Sequence, residues 1–385
     1  MFLKNTPEKD LILLGIKKFV DGDGKENIKD IFSKGKIDWQ KLREYLCYHE
    51  LLPLFYMIFK DYQLFLPLDF KELLRSNYYY YLLRNEYLWK EFLRIWDIFS
   101  YKGVVILPLK GISFIKDFNI VRMFSDIDLL VREEDMDVAE NILYKLGYKK
   151  ELGGLKESFW RKYHCHICFS NHKNNMFYIE LHWAIDFKRK NRIILGELWK
   201  RIKKVEIDGR KIEFLSNEDT LFSLALHNRR FGKILKGKYA FDTILLLKKY
   251  GNKLDWNYIL DKSKEYGINS SVFFLLSHAN YFYELKFVPT FIWKKLRLGG
   301  MKRKIIKEFI VMNTFPLKLN YATKYIYLWS YFLLYDSLIE SFRYIINIPQ
   351  KQFAKFYGLE PYDKKTDFYY RWRIIYSLRR MLIDF

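Results

Sequence analysis

The chain has 385 residues, with 67 Lys and Arg against 45 Asp and Glu for a formal charge of +22; half of it is apolar and 19% aromatic. That apolar share excludes a chain disordered throughout, and 8 Pro with 18 Gly exclude collagen-like or linker-dominated proteins. Three cysteines (Cys47, Cys165 and Cys168) are too few for a disulfide framework and point to a reducing compartment.

The N-terminal segment breaks into charge before a signal-peptide apolar stretch forms. The most apolar later stretch, 325–346, is interrupted by Asp336, Glu340 and Arg343. A cytoplasmic protein without membrane contact is expected. The basic balance favours polyanionic partners through steering and counterion release, and equally suits a lysine-rich solvated surface.

The first hundred residues read as helices. Thr6-Pro7-Glu8 is a start signal with Pro in the first turn, and Asp38 to Phe59 and Asp69 to Tyr101 continue the helical spacing. The aromatic residues from Tyr78 through Trp96 read as core rather than as a base-stacking platform. At Gly103 the character changes: Val104 to Leu107 is an apolar run of strand type ending at Pro108-Leu109-Lys110-Gly111. Ser125 to Val131 reads as a second strand, Arg132 to Leu146 as a helix closed by Gly147. Tyr163 to Phe169 and Phe177 to Ile185 read as further strands, and Val205 to Phe214 as a hairpin turning at Asp208-Gly209. Ser216, with Asp219 three residues on, opens a helical region that runs to the C-terminus. The expected layout is a helical region 1–102, an α/β core 103–215 and a helical domain 216–385.

Asp126-Ile127-Asp128 carries the strongest chemical signal. On a strand, residues i and i+2 project to one face, so two carboxylates leave an apolar ribbon side by side. Burying both is costly without a cation, and a hard divalent metal is the natural counter-charge. Glu180, in Tyr178-Ile179-Glu180-Leu181-His182-Trp183, is placed to add a third carboxylate from a neighbouring strand. Lys110-Gly111, at a strand-to-helix turn, suits phosphate: glycine lets backbone N–H groups approach its oxygens, and the lysine adds charge. Two weaker patterns are set aside. Gly232 to Tyr239 resembles a P-loop but lacks its Ser/Thr. His164-Cys165-His166-Ile167-Cys168 lacks a second cysteine pair for zinc.

Together, Leu109-Lys110-Gly111, Arg122-x-x-Ser125-Asp126-Ile127-Asp128, Leu146-Gly147-Tyr148 and Glu180-Leu181-His182-Trp183 resemble the uncharacterised nucleotidyltransferases of the DNA polymerase beta superfamily. Segments around His227, around Lys238 to Asp242, and from Phe342 to Tyr357 are similar to it too. The resemblance implies an α+β fold, a small mixed β-sheet core flanked by helical N- and C-terminal regions. It implies a nucleoside monophosphate moved from an NTP to an acceptor hydroxyl with release of pyrophosphate. Asp126, Asp128 and Glu180 would hold Mg²⁺ (or Mn²⁺), with Glu180 also the general base. Lys110, Gly111, Arg122, Ser125 and Lys238 would bind the nucleotide. The broader superfamily usually places Gly-Ser where this chain has Lys110-Gly111, and many relatives have Asp where this chain has Glu180. RNA is the preferred acceptor given the charge. A small metabolite, a protein side chain, or a catalytically silent RNA-binding or scaffold protein remain as alternatives.

Overall fold

The computed structural model describes residues 6–153, 156–171, 177–187, 193–230, 235–315, 332–341, 348–360 and 363–376. Residues 172–175 of the expected polar turn, 232–234 of the P-loop-like run and much of the apolar stretch 325–346 lie outside the described residues. Among those described, no helix is long and apolar enough to cross a membrane.

Helices α1 (Pro7–Asp21), α2 (Lys25–Ser33), α3 (Trp39–His49), α4 (Leu52–Ile58) and α5 (Leu68–Tyr101) come first. A sheet follows, built from β1 (Leu107–Leu109), β2 (Asp126–Leu130), β3 (Lys149–Glu151), β4 (His166–Ser170) and β5 (Tyr178–His182). Its spatial order is β1-β2-β5-β4-β3, with β2 and β5 parallel and the other pairs antiparallel. Helices α6 (Gly111–Phe118), α7 (Met136–Lys145), α8 (Glu157–Tyr163) and α9 (Leu195–Lys200) interleave with these strands or follow them. The hairpin β6 (Lys203–Ile207) and β7 (Arg210–Phe214) turns at Asp208 (φ 50°) and Gly209 (φ 73°), both positive as a two-residue turn requires. Beyond it, α10 (Asn217–Arg230), α11 (Gly237–Tyr250), α12 (Trp256–Glu265) and α13 (Asn269–Phe282) lead the C-terminal helices. The architecture is the expected α+β one, a small mixed sheet between helical flanks.

The period-two pattern sorts the two sheet faces. Ile127, Leu129, Ile167, Phe169, Ile179 and Leu181 share one core with Leu88, Phe92, Ile95 and Phe99 of α5. The opposite face is left to the polar partners in the alternation. A second core joins α1–α4 with α10, α11 and α13, so helices from both ends of the chain close over the polar face. The expected start at Ser216 is present: its hydroxyl accepts from Asp219 N at 3.1 Å and donates to Asp219 Oδ2 at 2.6 Å.

Some expectations shift. The first strand is Leu107–Leu109 rather than Val104 to Leu107, with Pro108 tolerated because β1 is an edge strand with one unpartnered side. Tyr163 ends α8 instead of opening a strand, and Trp160 Nε1 anchors that helix by donating to Leu152 O at 3.0 Å. β3 is made of Lys149, Lys150 and Glu151, which carry no apolar period; only pairing with β4 makes it a strand. The α5 aromatic stripe is core from Trp89 onward, but Tyr79, Tyr80 and Tyr87 are exposed.

Candidate functional site

The two-residue period delivers Asp126 and Asp128 to the polar face, and the β2–β5 register sets Glu180 directly opposite Asp128. Next on that face, β4 places His166 opposite His182 and Cys168 opposite Glu180. The approach to β2 is clamped from α5. Asn85 Nδ2 donates to Arg122 O at 2.9 Å, Arg122 N donates to Asn85 Oδ1 at 3.0 Å, and Arg84 Nη2 donates to Ser125 O at 3.0 Å. Buried amide pairing of this kind fixes where the strand begins.

Asp126, Asp128, Glu180 and His166 line a cavity of about 460 Å³ with Lys110, Gly111, Arg122, Ser125, Lys238 and Tyr239. Its walls come from all three parts of the chain, including Glu50 and Tyr81 from the N-terminal helices and His227 and Arg230 from α10. Every nucleotide-site residue expected from the sequence is therefore brought to one hollow.

The turn after β1 is strained. Lys110 has φ 47° and ψ −125°, a conformation that side-chain-bearing residues rarely adopt. Gly111 then opens α6, and a Cβ there would lie 3.0 Å from both Arg122 Nη1 and Phe124 Cγ. Any side chain there would crowd Arg122 and Phe124. The N-terminus of α6 begins at this cavity-lining residue, a position where helix amides favour anions.

All three expected cations already have carboxylate partners. Lys110 Nζ lies 2.6 Å from Asp128 Oδ1. Arg122 forks onto Asp242 of α11, Nε to Oδ1 at 2.7 Å and Nη2 to Oδ2 at 2.5 Å. Lys238, with Lys236, bonds Glu50. His182 Nε2 stands 3.1 Å from Asp128 Oδ1 and 3.2 Å from Glu180 Oε2. Asp128 is thus balanced from within by Lys110 and His182, which supply part of the counter-charge expected from a divalent cation.

The electrostatics separate the three acids. Burial, with Asp128 and Glu180 alongside, pushes Asp126 up to about 6. Burial also acts on Asp128, but Lys110 and the His182 hydrogen bond outweigh it and hold that carboxyl below its usual range. Glu180 is lowered in the same way, burial being overcome by the His182 hydrogen bond and by Lys110. His182 resists burial through hydrogen bonds to Asp128, Cys165 and Glu180 and rises to about 10, so it is an imidazolium at neutral pH.

The donor set suits a divalent cation. Ligand atoms of Asp128, Glu180 and His182 lie within 4.8 Å of one another, as do those of His166, Cys168 and Glu180. The two carboxylates fit Mg²⁺ or Mn²⁺ chemistry, His182 would join them only after giving up its proton, and the second set adds softer ligands. The His/Cys segment alone is short of ligands; Glu180 and His182 complete these sets across the sheet. His166 and Cys168 escaped because nothing local reveals which strand pairs with β5. Glu50 and Tyr81 carried no signal at all.

A family model described as an uncharacterised nucleotidyltransferase matches residues 35–284, which take in the sheet, the acids and most of the cavity wall. No curated protein and no solved structure matches the chain.

Proposed function

We propose that this chain, which belongs to the uncharacterised nucleotidyltransferase family, transfers a nucleoside monophosphate from an NTP to an acceptor hydroxyl, RNA being the favoured acceptor. One observation carries the reading: Asp126, Asp128 and Glu180 share one sheet face beside the Lys110-Gly111 turn, in a cavity that all of them line.

In this reading the triphosphate lies against Gly111 and the N-terminus of α6, where helix amides favour anions. Asp126, Asp128 and Glu180 would hold the divalent cation, Mg²⁺ or Mn²⁺. Such an ion, when bound, stabilises charge on the entering and leaving oxygens. The acceptor oxygen forms a bond to the α-phosphorus as the bond to the bridging oxygen breaks, and pyrophosphate leaves in line. The acceptor proton passes to a carboxylate. Glu180, facing Asp128 across the β2–β5 register, is the carboxylate assigned to that task.

Incubation with each α-³²P-labelled NTP, Mg²⁺ or Mn²⁺ and total cellular RNA tests this, beside Asp126→Ala/Asp128→Ala. Label in RNA with wild type alone supports the proposal and names the base. Label in protein or in a small molecule moves the acceptor class. A second reading, a silent RNA-binding protein of the same fold, draws on the internal neutralisation of Asp128. It prevails when no label appears and calorimetry finds no NTP binding.

A further inference from the structure

Lys110, Arg122, Arg230 and Lys238 are the lysines and arginines that line the cavity, and three of them are paired with carboxylates. Arg230, the last residue of α10, is the exception among the described residues. Its Nη1 donates to Cys165 Sγ at 3.4 Å, its Cζ sits 5.6 Å from the Phe187 ring centroid, and its Nε is buried without a hydrogen-bond partner. Asp186, Glu180 and Asp128 act on this charge from a distance, but among the described residues no carboxylate hydrogen-bonds the guanidinium, and a buried Nε without a partner is costly. The dipole at the C-terminal end of α10 favours a cation there but is too weak to explain the placement by itself. A guanidinium fork matches phosphate oxygens.

The strand order says which phosphate. Lys110 and Gly111 follow β1, on one side of the acid-bearing β2. Cys165, which Arg230 touches, immediately precedes β4, two places away on the other side of β2. In-line displacement puts leaving and entering groups on opposite sides of the α-phosphorus. With the triphosphate at Gly111, the Arg230 side belongs to the acceptor.

We propose that Arg230 binds a phosphate group carried by the acceptor, so the substrate receiving the nucleotide is itself phosphorylated. This rests on the nucleotidyltransferase reading. The acceptor hydroxyl loses its proton to a cavity carboxylate, its oxygen joins the α-phosphorus, and pyrophosphate departs; the phosphate on Arg230 is an unchanged handle. That phosphate comes either from the end of an RNA strand or from a small phosphorylated metabolite.

The test is calorimetry on the full chain with Mg²⁺, for wild type, Arg230→Ala, Arg230→Gln and Arg230→Lys. The probes are the α,β-methylene analogues of ATP, GTP, CTP and UTP, ribose 5-phosphate, ribose, and a short oligoribonucleotide ending in a 3′-hydroxyl. Wild type is expected to bind an NTP analogue and at least one phosphorylated probe, and not ribose. Arg230→Ala or Arg230→Gln should weaken the phosphorylated probe by about 10–100-fold, the worth of a charged hydrogen bond, and the NTP analogue by no more than about twofold. Arg230→Lys, which keeps charge without the fork, should fall between. Preference for the oligonucleotide or for ribose 5-phosphate identifies the source. Loss of the NTP analogue instead, binding of neither phosphorylated probe by a wild type that binds the analogue, or phosphorylated-probe affinity unchanged in the variants would each overturn the assignment. A wild type that binds none of the α,β-methylene analogues of ATP, GTP, CTP and UTP would refute the nucleotidyltransferase reading itself. Gln and Lys keep the test open should the Ala variant fail to fold.

Discussion

Lys110 Nζ stands 2.6 Å from Asp128 Oδ1, so the lysine of the turn after β1 neutralises one acid of the candidate site. Both side chains are almost wholly withdrawn from water, at 10% and 6% exposure. A cation entering between the acids must therefore share Asp128 with the ammonium group.

Removing that ammonium leaves Asp128 buried with His182 as its remaining cation. Losing one partner of a buried pair costs about 3–5 kcal/mol, and His182 puts Lys110→Ala near the low end, about 3 kcal/mol. Urea unfolding with and without Mn²⁺ checks this: the loss should be largest without metal and shrink when Mn²⁺ takes over the counter-charge. Equal losses in both conditions would contradict it.

The backbone of Lys110 gives a separable prediction. At φ 47° and ψ −125° a Cβ is strained by about 1–3 kcal/mol, and glycine is not. Lys110→Gly should be more stable than Lys110→Ala by about 1 kcal/mol, though both lack the ammonium. Label transfer should be reduced alike in both.

Asp126 makes stability depend on pH. Its carboxyl sits at about 6 in the folded chain, against about 3.9 when unfolded. Between those values the folded state binds more protons, so stability falls as pH rises through that window. Asp126→Asn removes the penalty. With EDTA present, its Tm should exceed that of wild type at pH 7.5 and converge with it near pH 4. Wild-type Mn²⁺ affinity should fall as the pH drops below about 6, as protons compete for the same oxygens.

The Arg122–Asp242 fork joins the approach to β2 to α11 and is buried on both sides, at 8% and 1% exposure. Asp242→Asn should cost about 3–5 kcal/mol by stranding the guanidinium, whereas Arg122→Met/Asp242→Leu together should recover most of it. A double-mutant cycle in denaturant measures the coupling; strict additivity would show that the fork does not hold these parts together.

Asn85 reaches across to both backbone groups of Arg122, so Asn85→Ala strands a buried N–H and a buried C=O. A loss of about 2–4 kcal/mol is expected. Because the clamp sets where β2 begins, kcat for label transfer should fall more than affinity for the NTP.

The alternation in Asp126 to Leu130 was legible as a strand with acids on one side, since a period of two needs no knowledge of neighbours. Glycine at 111 and the Asp208-Gly209 turn were legible too, because backbone sterics are local. The pairing of β4 with β5 was not. It brings His166 and Cys168 beside Glu180 through hydrogen bonds between segments that no local pattern relates.

By itself the sequence determined the α+β layout, the three carboxylates and the phosphate-type turn, each written in short-range periodicity and residue chemistry. Only the tertiary structure decided how the charges are shared. Lys110 and His182 balance Asp128, Asp242 and Glu50 take up Arg122 and Lys238, and Arg230 keeps its guanidinium for the cavity. Ion pairing falls off with distance in space, and residues 120 positions apart, such as Arg122 and Asp242, meet only when the helices close over the sheet.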